Sequence, residues 1–116
     1  MNFDFNEDQK ALQSEVRRFL QARAASGKVR EVLDGKAPYQ QDLWRELGSM
    51  GYTGAAIAEA YGGSGLDYLE LALIAEELGR TVAAVPFSST VYLAAEILKA
   101  AGNEAQRTRW LPEIAQ

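Results

Sequence analysis

Asp67-Tyr68-Leu69-Glu70-Leu71-Ala72-Leu73-Ile74-Ala75-Glu76-Glu77-Leu78-Gly79-Arg80 is the stretch on which the fold turns. Asp67 is a helix N-cap residue, and Glu70, three positions on, is its capping-box partner. From Leu69 to Leu78 the apolar residues fall on nearly every side of a helical wheel. A helix that is apolar all round must be covered all round. The pattern therefore predicts a buried central helix with other helices packed about it.

Working outward, Tyr61-Gly62-Gly63-Ser64-Gly65 precedes this helix and reads as a loop by composition. Residues 52–61 are small and weakly periodic, either an irregular connection or a short extended piece. Before them, Leu43, Leu47 and Met50 make the apolar face of a helix, with Trp44 beside it and Gly51 at its C′ position. The first helix starts behind Asn6, whose box partner is Gln9. It carries Leu12, Val16, Phe19 and Leu20 and runs from about Glu7 to about Ala25, where Ser26-Gly27 closes it. A short helix, Lys28 to Leu33, ends at Asp34-Gly35, and Ala37-Pro38 begins the next turn.

On the other side, Thr81 to Pro86 is a connection. Ser88 or Ser89 caps a fifth helix that carries Val91, Ala94, Ala95, Leu98 and Ala101 and stops at Gly102. Asn103, with Gln106 as box partner, opens a sixth, and Pro112 bends or interrupts it. No segment alternates apolar and polar residues as a half-buried strand does. The expected fold class is all-α, a bundle of five or six helices in one domain.

The totals exclude several functions. The chain has 116 residues and a net charge of −4. Its basic residues never cluster beyond Arg17-Arg18, so no face suits nucleic acid. The uncharged stretch Thr81–Ala95 is too short, and too broken by Pro86, to span a membrane. Met1-Asn2-Phe3-Asp4 lacks the basic-then-apolar pattern of a signal peptide. The chain holds no cysteine and no histidine. That removes disulfides, thiolate nucleophiles, cysteine or histidine metal sites and histidine-based triads.

Three motifs have a possible chemical reading beside a structural one. Gly62-Gly63-Ser64-Gly65 lacks the preceding strand and spacing of a dinucleotide fingerprint. Leu66 stands where a P-loop needs lysine. A tight turn with positive φ angles is the better reading. Glu76-Glu77 is a carboxylate pair, but sequence neighbours diverge by about 100° on a helix. Pairing of Glu76 with Arg80 at a helix end is favoured over acid–base work. Val85-Pro86-Phe87-Ser88-Ser89-Thr90 mixes apolar and hydroxyl groups. It reads locally as a cap, and alternatively as a pocket wall.

Taken in order, three blocks resemble the N-terminal domain of acyl-CoA dehydrogenases. They are Leu43-Trp44-Arg45-Glu46-Leu47-Gly48-Ser49-Met50-Gly51-Tyr52; Glu59-Ala60-Tyr61-Gly62-Gly63-Ser64-Gly65-Leu66-Asp67 followed by Glu76-Glu77-Leu78-Gly79-Arg80; and Ala101-Gly102-Asn103-Glu104-Ala105-Gln106 leading to Trp110-Leu111-Pro112. Ala58 departs from the family, which has proline there. The resemblance implies that residues 1–116 are that helical domain. It implies that the β-domain and C-terminal helical domain lie beyond Gln116 and carry most FAD contacts and the catalytic glutamate. The implied reaction is α,β-dehydrogenation of an acyl-CoA thioester in lipid catabolism. The implied partners are the acyl-CoA, an electron-accepting flavoprotein or other acceptor, and further subunits of a homo- or hetero-oligomer in the cytoplasm. Val85, Pro86, Ser89 and Thr90 match the family's acyl-pocket segment. No catalytic, cofactor-binding or metal residue is expected within the chain, and the chain alone is expected to be inactive. The alternatives are a related flavin monooxygenase or acyl-CoA oxidase, or a non-catalytic helical interaction module.

Overall fold

A computed structural model describes residues 3–116. Met1 and Asn2, part of the stretch read as lacking a signal peptide, lie outside the described residues. The described residues form six α-helices and no strand: α1 (Glu7–Arg23), α2 (Ser26–Leu33), α3 (Gln41–Ser49), α4 (Tyr68–Arg80), α5 (Ala95–Ala101) and α6 (Glu104–Ile114). A 3-10 turn, Glu59–Tyr61, lies between α3 and α4, and a π-wound segment, Ser88–Ala94, runs directly into α5.

The three capping boxes act as read. Asn6 accepts from the Gln9 N–H at 2.8 Å, and Gln9 returns the bond to the Asn6 N–H at 3.0 Å. Asn103 and Gln106 do the same for α6, and Asp67 with Glu70 forms the box that opens α4. Each box satisfies amides that would otherwise lack a helical partner. Helix α3 ends in a Schellman motif. The Tyr52 N–H reaches the Leu47 carbonyl and the Gly51 N–H the Gly48 carbonyl, with Gly51 at φ 82°.

Helix α1 lies along α4, and their facing side chains build the main core. Val16, Leu20, Leu47 and Ile74 are fully excluded from solvent there, and Leu43, Phe87 and Val91 nearly so. Each such side chain contributes roughly 1.5–3 kcal/mol of burial free energy. A smaller cluster of Ile57, Ala95, Leu111 and Ala115 ties α5 to α6. The result is a slab, 41 × 40 × 19 Å.

Four readings need correction. Ser26-Gly27 does not close α1; it is the first turn of α2, because the break falls one residue earlier, at extended Ala25. Met50 is 44% exposed and does not share the α3 face of Leu43 and Leu47. Helix α4 is central but not covered all round. Leu71, Leu73, Ile74 and Leu78 are buried, whereas Leu69 is 47% exposed and Ala72 lies open beside it. A slab two helices thick has no third layer to cover that stripe. Pro112 does not interrupt α6, which continues to Ile114.

Candidate functional site

The connection between α4 and α5 departs most from regular geometry, and it contains all four residues expected to wall a pocket. At the end of α4 the chain repeats the hydrogen bonds that close α3. The Ala83 N–H reaches the Leu78 carbonyl at 3.0 Å and the Val82 N–H the Gly79 carbonyl at 3.1 Å. The residue in the left-handed position is now Val82, at φ 51°. A β-branched side chain is strained there, and Val82 is 68% exposed, so burial in this chain does not offset the strain.

After Pro86 the helix starts π-wound. The Ala95 N–H bonds to the Thr90 carbonyl, five residues back. The Pro86 carbonyl takes two donors, the Thr90 N–H and the Ser89 hydroxyl, each at 3.3 Å. Ser89 is therefore not an N-cap. Its hydroxyl points back to a carbonyl rather than forward to an amide, and Ser88 makes no cap bond. The segment is fixed to the core by Phe87, 3% exposed, whose ring meets Trp44 of α3 at 6.4 Å and Tyr92 at 5.5 Å, both edge to face.

The winding sorts the expected wall residues. Phe87, Val91 and Ala95, four apart, are all buried. Ser89 is exposed, and Leu93 and Ile97 follow it at the same spacing, 60% and 63% exposed. An α-helix turns 40° further at every fourth residue. A π turn holds more residues per turn, so residues four apart stay nearly in line. Ser89 and Leu93 thus keep one side of the π turn, and Ile97, on α-wound α5, follows about 40° further round, so the three form an outer strip that begins one turn beyond half-buried Pro86. Val85 turns the other way. It lines a hollow of about 420 Å³ between α4 and the π turn, with Ala75, Leu78, Val82, Phe87 and Tyr92. Thr90 is half-buried between the two faces. Pro86 and Ser89 are therefore brought together, and Val85 is parted from them. Sequence reasoning missed Leu93 and Ile97. Their only signal is the spacing of four from Ser89, which marks a common face only once the winding is known.

The other two motifs take their structural readings. Every N–H from Gly62 to Leu66 is already bonded: to the carbonyls of Glu59, Ala58, Gly54, Ile57 and Ala55 in turn. No amide is left to cradle a phosphate. Gly62 and Gly65 have φ of 86° and 64°, as a tight turn requires. Of the two neighbouring carboxylates, Glu77 rather than Glu76 makes the ion pairs. Glu77 is 1% exposed. Arg17 of α1 grips it with two bonds, 3.0 and 2.7 Å, and Arg80 approaches to 3.3 Å. The hydrogen bonds from Arg17 hold its carboxyl below the usual carboxylate range. A general base working near neutral pH needs the opposite shift, so Glu77 is a strut between α1 and α4. Glu76 lies at the surface.

A hollow of about 520 Å³ opens between α1, α2 and α3, but its charges are taken up in ion pairs: Arg23 with Glu46 and Lys28 with Glu31 within it, Lys36 with Asp34 and Asp42 with Arg45 at its edge. Among the described residues no group of three acidic side chains is placed to hold a metal, and no helix is long and apolar enough to cross a membrane. With its amides spent, the glycine loop does not fit a flavin pyrophosphate.

The family described as acyl-CoA dehydrogenase, N-terminal domain, matches residues 6–116. The mitochondrial isovaleryl-CoA dehydrogenase of Pongo abelii is 36% identical over 113 residues, which cover 94% of this chain and 26% of that protein. Among solved structures, the Tcur3481-Tcur3483 steroid ACAD superposes with a TM-score of 0.83 at 35% identity, covering 94% of this chain and 30% of its own. The ChsE4-ChsE5 complex from Mycobacterium tuberculosis gives a TM-score of 0.86 at 29% identity, covering 99% of this chain and 32% of its own. The chain thus spans between a quarter and a third of the length of these proteins.

Proposed function

Since this chain belongs to the acyl-CoA dehydrogenase family, whose N-terminal helical domain it forms, we propose that it walls the acyl pocket of a flavin-dependent enzyme that desaturates an acyl-CoA thioester at its α,β bond. The outer strip of Pro86, Ser89, Leu93 and Ile97 is the wall. The observation that carries this reading is the exposure of Ser89, Leu93 and Ile97 along one side of the π turn and α5, with a small hydroxyl residue at the end nearest the strained connection. An apolar surface with a few placed polar groups is what an acyl chain requires. Val85 and Thr90 support the strip from behind.

FAD, in this proposal, is held by other segments of the enzyme, and so is the carboxylate that takes the α-proton. The residues of this chain bind and orient the acyl group and exclude water from it. Electrons leave to a flavoprotein or another acceptor. The domain packs against further segments or subunits, as assembly of the ChsE4-ChsE5 complex suggests for that neighbour.

The test is Ser89→Leu in the enzyme that carries this domain, assayed against a short and a bulky acyl-CoA. One methylene of pocket volume is worth roughly 10–200-fold in discrimination. The bulky substrate should therefore lose kcat/KM by at least that order relative to the short one. Equal loss on both, with stability unchanged, overturns the assignment of Ser89 to the wall.

A further inference from the structure

The Phe87 and Tyr92 rings meet edge to face with centroids 5.5 Å apart, although five residues separate them. On an α-helix, residues five apart point about 140° away from each other and cannot meet in this way. In a π turn, whose hydrogen bonds run from i to i+5, each residue turns less far about the axis, so side chains five apart come closer to one side and the two rings can touch. Phe87 is itself fixed, nearly buried and wedged against Trp44 of α3. Tyr92 reaches back to a ring packed in the core.

We propose that the Phe87–Tyr92 pair is the lock that holds Ser88–Ala94 in its π winding, and that Tyr92 is thereby the positioning residue for the Ser89–Leu93–Ile97 strip. Tyr92 is not on the strip. It is half-buried on the side of the hollow that also contains Leu78 and Val85. Were the ring lost, the segment would rewind as an α-helix. The residues of the turn would then rotate with respect to α5, carrying Ser89 off the side it shares with Ile97 and Val91 out of the core. The consequence for acyl-group choice rests on the reading of the strip as the acyl wall; the lock itself does not.

The chain has no cysteine, so a single introduced thiol reports without background. Val91, in the π turn, is 2% exposed, and Val16, on α1, is 0% exposed. Val91→Cys and Val16→Cys reporters are each combined with Tyr92→Ala and with Tyr92→Phe and labelled with a charged thiol reagent. With Tyr92→Ala, labelling of the reporter at 91 should speed up about tenfold or more while that at 16 stays slow, as local opening requires. Tyr92→Phe keeps the ring and should leave both slow. If both stay slow with Tyr92→Ala, the ring does not hold the winding and the proposal falls. It falls equally if both speed up together, because Tyr92 is then only one more core residue. In the enzyme that carries this domain, Tyr92→Ala should shift the kcat/KM ratio of bulky to short acyl-CoA, and Tyr92→Phe should not. Release at position 91 without a shift in that ratio overturns the acyl-wall reading and leaves the lock standing.

Discussion

At the scale of the residue, two side chains carry free energy in opposite directions. Val82 occupies a C′ position that glycine fits at little cost, and its exposed side chain gives the chain nothing in return. Val82→Gly should therefore stabilise the chain by about 1 kcal/mol. That raises the melting temperature by roughly 4–6 °C for a domain of this size, read by calorimetry. An unchanged or lower value would mean that Val82 is not strained. Glu77 is the opposite case, a buried carboxylate held by Arg17 and Arg80. Glu77→Gln should cost on the order of 1–3 kcal/mol by denaturant unfolding, because Arg17 loses the charge it grips. The carboxyl is held below its ordinary range in the folded chain, so it binds fewer protons there than in the unfolded one. Its contribution is therefore complete above the ordinary carboxylate pKa and is lost as pH falls through the depressed folded value. Glu70, held low by Gln9, acts with the same sign. Denaturant midpoints should fall as pH drops below about 4.5, less steeply in Glu77→Gln. Parallel pH profiles for the two proteins would rule Glu77 out as the source.

At the scale of the element, the glycine loop and the π turn differ in how far sequence could reveal them. The loop was legible as a turn, but its tightest constraint was not. A Cβ on Gly63 would sit 2.6 Å from Ile57 Cβ and closer still to the Ile57 carbonyl. Only the folded loop brings those atoms together. Gly63→Ala should cost roughly 3 kcal/mol or more, because backbone has to move. Gly62→Ala meets open space and pays only for its φ of 86°, about 1 kcal/mol. Denaturant titration of the two variants orders them, and equal costs would contradict the close approach at Gly63. The π turn was not legible at all. Propensity and capping rules assume a period of 3.6, and under that period Ser88 and Ser89 look like caps and Leu93 like a stray surface residue. The Phe87–Tyr92 spacing of five acquires meaning only when both rings are seen to touch.

At the scale of the whole molecule, the slab is 19 Å thick and leaves large apolar side chains on its faces: Leu69, Val82, Leu93, Ile97 and Trp110 are each 47–68% exposed. Scattered apolar residues are ordinary on a surface, but a line of them is not. The purified chain should self-associate, with its weight-average sedimentation coefficient rising with concentration. Replacing Leu93 and Ile97 by lysine should restore a single monomeric species. A monomer at all concentrations before that change would show that the strip is not adhesive.

The sequence by itself determined the helical class, the order of the helices, the capping boxes of α1, α4 and α6, the turn at the glycine loop, and a family resemblance carried by three blocks in order. These follow from local chemistry: a cap, a box partner or a turn glycine acts within a few residues of itself. Tertiary structure alone decided that α4 is covered on one side only, that Glu77 rather than Glu76 pairs with Arg17 across 60 positions of chain, and that Val85 parts from Ser89. The physical reason is the same in each case. Which side of a helix is buried, and how tightly its turns are wound, depends on side chains that arrive from distant segments, as Trp44 arrives to fix Phe87.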